Sequence, residues 1–144
     1  MMRSLLTTTA ILWALSVTNA TFATNTFVVV NALPGSSIDQ ASLEALLTGQ
    51  RRNWDGGDAA KVILPSRESS NFDFVAQKLF GTSGRVMQRL WFRLVFSGRA
   101  NAPDYVDSSS DVIEAVERQD GALGILVSDV APSVREGLAV VELK

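Results

Sequence analysis

Apolar residues along the chain come in two rhythms. Short runs rich in β-branched residues, Thr26–Asn31 (TFVVVN), Lys61–Leu64 (KVIL) and Ala122–Val127 (ALGILV), read as buried strands, with Leu138–Leu143 (LAVVEL) as a last one. Between them apolar positions recur at helical spacing. Leu43, Leu46 and Leu47 mark a first helix, opened by Ser37 and Gln40 as a capping box and ended by Gly49. Phe72, Val75, Ala76, Leu79 and Phe80 mark a second over Phe72–Phe80, with Gly81 at its C′ position. Met87, Leu90, Trp91, Leu94 and Val95 form the buried face of a third, Gly84–Phe96, capped by Ser83 and stopped by Ser97-Gly98. Its wet face carries Arg85, Gln88, Arg89 and Arg93, and Phe92 reads as an ordinary exposed aromatic. Val112, Ile113 and Val116 edge a short fourth helix that a Ser108–Asp111 capping box opens and Asp120-Gly121 ends. Gln50–Asp58 reads as a polar turn with Trp54 folded onto the core, and Arg99–Asp107, with Pro103, as a loop.

The resulting order, β-α-β-α-α-α-β-β, implies an α/β fold: a three-layer α/β/α sandwich with a mostly parallel sheet covered on both faces. In such sheets ligands bind outside the carboxyl ends of the strands, where the Ser66–Asn71 turn belongs. That turn holds Ser66, Arg67, Glu68, Ser69, Ser70 and Asn71 between a strand and a helix. A strand feeding a helix in this way aims free backbone N–H groups and the positive helix end at one spot, where an anion can sit. The candidate ligand-binding residues are therefore Ser66, Arg67, Ser69, Ser70 and Asn71. A purely structural role is compatible with this: Ser69 or Ser70 as N-cap, and Ser70 with Asp73 as a capping box. Arg51 and Arg52 read as a solvated helix end.

The N-terminus changes the picture of where the protein works. Arg3 precedes an uncharged apolar run, Leu5–Val17, and small residues close the segment at Thr21-Phe22-Ala23. This is the order of a secretory signal peptide, cut after Ala23 or, second, after Ala20; an uncleaved anchor is the rival. The run is shorter than the roughly 20 residues of a membrane span. Residues 24–144 are expected to form one soluble domain, periplasmic or secreted, with no membrane span after cleavage.

The chain has 13 basic and 15 acidic residues, a net charge of −2, which becomes −3 without Arg3. Mild acidity argues against nucleic acid as a partner. The chain contains neither cysteine nor histidine. That excludes disulfides, thiol nucleophiles, Ser-His-Asp chemistry and the ordinary zinc sites. No acidic pair stands out as a general acid and base, so binding without catalysis, cofactor or metal is the expectation.

Several segments together resemble the periplasmic phosphate-binding proteins of ABC importers, which have the type 2 substrate-binding fold. They are Leu43–Trp54 (LEALLTGQRRNW), the loop Ser66–Ser70 (SRESS) before the helix Phe72–Phe80, and Gly121–Val127 (GALGILV). Trp91–Arg99 (WFRLVFSGR) is similar to a motif of short secreted proteins related to those binders. The resemblance covers most of Thr26–Val127. It implies a single lobe of a type 2 periplasmic-binding-protein-like fold. It also implies a small oxyanion such as phosphate held by Ser69, Ser70 and Asn71 with Arg67 as charge partner, and a link to an ABC phosphate importer. Ser70-Asn71-Phe72 stands where those binders have Ser-Gly-Thr, and Arg67 stands one place later than their arginine. These departures and the single lobe support the alternative, a ligand-less interaction module that docks on a membrane sensor or transporter.

Overall fold

The computed structural model describes residues 24–33, 36 and 38–144; the signal-peptide reading of residues 1–23 and the proposed cap Ser37 lie outside them. Among the described residues nine elements follow in order: β1 (Asn25–Val30), α1 (Gln40–Leu47), β2 (Lys61–Pro65), α2 (Ser70–Phe80), α3 (Gly84–Phe96), β3 (Asp104–Val106), α4 (Ser109–Glu117), β4 (Ala122–Ser128) and β5 (Ala139–Leu143).

The five strands form one sheet in the order β3-β2-β4-β1-β5. Strand β2 pairs in parallel with both β3 and β4, whereas β1 is antiparallel to both β4 and β5. Four strands therefore run one way and β1 alone runs against them, the mostly parallel arrangement expected. The correction is β3, which lies in the segment read as a loop. Three residues after Pro103 are too few to show a period of two, and they are strand only because Leu64 lies opposite Tyr105 and Pro65 opposite Val106.

Alternation along the strands separates two cores. Val28, Val30, Val62, Leu64, Leu123 and Ile125 meet Leu43, Leu46 and Leu47 of α1, Phe72, Val75 and Ala76 of α2, and Met87 and Trp91 of α3. On the other face Phe27, Val29, Ile63, Ala122 and Leu126 meet Val112 and Val116 of α4. The result is three layers, with three helices on one face and one on the other. Gly124 permits a close approach of α4 to the sheet: a Cβ there would stand 2.5 Å from Cγ1 of Val112 and 2.9 Å from Cγ2 of Val116.

Local chemistry sets the helix ends. Asp39 caps α1, its carboxylate accepting from the Ser42 amide at 3.1 Å and from the Ser42 hydroxyl at 2.8 Å. Gln40 turns outward instead, donating to the Lys144 carbonyl at 3.1 Å. Ser83 caps α3 and Ser108 caps α4, each through its hydroxyl oxygen. Gly81, at φ 64°, closes α2 in the left-handed conformation that glycine adopts without strain. Trp54 is buried in the larger core, and its Nε1 donates to the Gly121 carbonyl at 2.8 Å.

Candidate functional site

The candidate site forms where β2 leaves the sheet. The Ser66 amide donates to the Val106 carbonyl at 2.7 Å, which holds the start of the turn against the end of β3. The Ser69 amide then donates back to the Ser66 carbonyl at 2.9 Å, and Ser69 adopts an extended conformation. Its hydroxyl oxygen accepts from the Asn71 amide at 3.0 Å, so Ser69, not Ser70, is the N-cap of α2. The Ser70 amide is left without an acceptor among the described residues, as first-turn amides commonly are. Asp73 does not complete a capping box with Ser70. Its Oδ1 accepts from the Gly84 amide at 2.8 Å and so serves the start of α3.

A second helix opens at the same edge. After β3 ends at Val106, the Ser108 hydroxyl accepts from the Asp111 amide at 3.1 Å and α4 begins. Helices α2 and α4 cover opposite faces of the sheet, yet both start at its carboxyl edge. Between their first turns lies a narrow cleft with Ser69 and Asn71 on one side and Asp107, Ser108 and Ser109 on the other. Pro65, Val106, Val112, Leu126 and Val127 complete the lining. The free space is about 10 Å³, room for about one water molecule. Two helix N-termini make the cleft electropositive, while the Asp107 carboxylate on its rim opposes that field.

The five residues singled out in the sequence diverge. Ser69 and Asn71 line the cleft, and Ser66 is half-buried in the turn. Ser70 faces an open groove along α2 with Asp73, Phe74, Gln77 and Lys78. Arg67 lies over the ring of Tyr105, its Cζ 5.0 Å from the centroid, and borders a separate depression of about 280 Å³ with Asp73, Arg85 and Gln88. Consecutive residues entering a helix point about 100° apart, so a run such as Ser69-Ser70-Asn71 cannot aim all its side chains at one point. Burial pushes the Tyr105 phenol above its ordinary pKa, and the Arg67 charge pulls it partly back. The Phe72 and Tyr105 rings meet edge to face at a centroid distance of 6.1 Å.

Asp107, Ser108 and Ser109 carry no site signal in the sequence pattern. Ser108 was legible as a cap, but its place beside Ser69 depends on the parallel pairing of β3 with β2. Among the described residues no group of three or more acidic side chains could hold a metal ion, and no helix is long and apolar enough to cross a membrane.

Two capped helix starts thus meet at the carboxyl edge of parallel strands in an α/β domain. No protein family model and no curated protein sequence matches the chain. Among solved structures it is similar to PstS from Borrelia burgdorferi, at 17% identity and a TM-score of 0.46, covering 73% of this chain and 41% of that one. It is also similar to an ABC-type phosphate transport receptor from Vibrio cholerae, at 18% identity and a TM-score of 0.48, covering 84% of this chain and 47% of that one. The chain spans less than half the length of either protein.

Proposed function

We propose that the protein is a secreted or periplasmic solute-binding-protein-like domain that takes a small oxyanion, such as phosphate, at the cleft between α2 and α4. The carrying observation is the convergence of two capped helix N-termini, with Ser69, Asn71, Ser108 and Ser109 as neutral donors, at the carboxyl edge of β2 and β3. Arg67 contributes charge from the neighbouring rim, with its guanidinium held on Tyr105. The chemistry is binding, with no covalent step, and the link to an ABC phosphate importer rests on the sequence resemblance. Location outside the cytoplasm rests on the signal-like order of residues 1–23. The cleft is too narrow to take in a whole oxyanion, which stays partly hydrated at its mouth, so the affinity of the chain alone is weak.

Calorimetric titration at low salt with phosphate and then sulfate tests this reading. The informative variant is Ser69→Gly, because glycine replaces a serine N-cap at a cost of only a few tenths of a kcal/mol while removing the hydroxyl. Saturable binding that weakens several-fold in Ser69→Gly and in Arg67→Ala is the expected result. Asp107→Asn should strengthen sulfate binding, since sulfate has no proton to offer that carboxylate at neutral pH. Absence of heat at millimolar anion sinks the proposal.

A second reading has its own observation. A free space of about 10 Å³ is smaller than an oxyanion, which favours an interaction module that docks on a membrane sensor or transporter without a ligand. Retention on envelope proteins together with a null titration is its signature.

A further inference from the structure

We propose that the outer face of α3 docks on the surface of an anionic phospholipid membrane. Helix α3 turns Met87 and Trp91 into the core. Arg85, Arg89, Phe92, Arg93 and Phe96 are all exposed, and steps of three and four residues place them on one stripe. Phe92 is 47% exposed and Phe96 86%, the most exposed large apolar side chain among the described residues. The two rings lie together, centroids 6.3 Å apart, so the apolar area is continuous and set among guanidinium groups. Beside it, Arg93 and Arg99 edge a shallow groove of about 530 Å³ floored by Leu79, Phe80, Leu90 and Leu94.

Charge points the same way. Residues 74–103 contain Lys78, Arg85, Arg89, Arg93 and Arg99 and no acidic residue, in a chain whose net charge is −2. Residues 104–144 carry nine acidic residues against Arg118, Arg135 and Lys144. The ion pairs among the described residues involve Arg51, Lys61, Arg118 and Arg135, and none uses an arginine of α3. Asp73 shares a depression with Arg85 and Arg67, so the positive field centres on Arg89, Arg93 and Arg99, beside the phenyl rings. This face is a convex helix flank. A bilayer interface meets it without a shaped partner: phosphate groups receive the arginines, and the rings enter at headgroup depth. A protein partner for the same face would have to present an acidic groove.

Co-sedimentation of the full chain with phosphatidylglycerol-containing vesicles and with pure phosphatidylcholine vesicles, at low salt, tests the proposal. The variants are Arg89→Gln/Arg93→Gln and Phe92→Ser/Phe96→Ser, with Arg118→Gln as a charge control on the opposite layer. The apolar run at residues 5–17 is common to every protein, so the readout is the difference between variants and between lipids. The wild type should favour the anionic vesicles, and that preference should fall roughly twenty-five-fold in the arginine variant, at about fivefold per arginine. The phenylalanine variant should lose binding while its thermal melt and circular dichroism stay unchanged, and Arg118→Gln should bind as the wild type does. Equal sedimentation with both lipids, or wild-type binding by both double variants, overturns the proposal; a protein partner then becomes the better explanation of the face.

Discussion

Two tryptophans show how differently one residue type is used. Both are buried in the larger core, but Trp54 Nε1 donates to the Gly121 carbonyl at 2.8 Å, whereas Trp91 Nε1 is buried without a partner among the described residues. Replacing Trp54 by Phe removes a made bond, a loss of about 1 kcal/mol, in addition to lost contact area. Replacing Trp91 by Phe removes a donor that was already unsatisfied, so the loss of area is offset. Denaturant melts should rank Trp54→Phe as the more destabilising of the two; the reverse order contradicts this account. That Trp54 folds inward was legible from an aromatic set in a polar turn, but its acceptor, 67 residues away, was not.

Among the elements, caps decided what the apolar periods left open. Helix α3 has the predicted limits because Ser83 precedes an unbroken apolar stripe. Helix α1 starts from Asp39, a stronger acceptor lying next to the helix. Hydrogen bonds from the Ser42 hydroxyl, and then from its amide, hold the Asp39 carboxyl below its ordinary pKa. The stabilisation is therefore present above the unfolded carboxylate pKa and is lost as pH falls through the lower folded value. Asp39→Ala should lower the melting temperature at neutral pH, and the gap to wild type should close in acid, below about pH 4. A gap that stays constant down to pH 2 would show that the side chain acts in some way other than as an ionised cap.

For the molecule as a whole, close contact between layers governs stability. Gly124 lies in β4 beneath α4, and the atoms a Cβ would strike belong to β-branched side chains with little freedom to move away. Gly124→Ala should cost roughly 1–3 kcal/mol by overpacking, read as a fall in denaturant midpoint at unchanged m-value. A neutral result would mean that α4 can shift outward at no cost. The candidate site belongs to this scale as well. Its α2 half was legible in the Ser66–Asn71 turn, while its α4 half required β3, whose three residues carry no readable period.

By itself the sequence determined the layers, most of the helices and strands, and the exclusion of histidine and cysteine chemistry. These follow from apolar periodicity and composition, which are local properties of the chain. Only the tertiary structure decided the reversed direction of β1, the strand status of residues 104–106 and the dispersal of the five turn residues. It also set Ser108 and Ser109 beside Ser69. Each of these depends on which backbone pairs with which across long separations, and on the rotation of side chains as a strand passes into a helix. Hydrophobic patterning specifies which face is buried, but not which distant segment covers it.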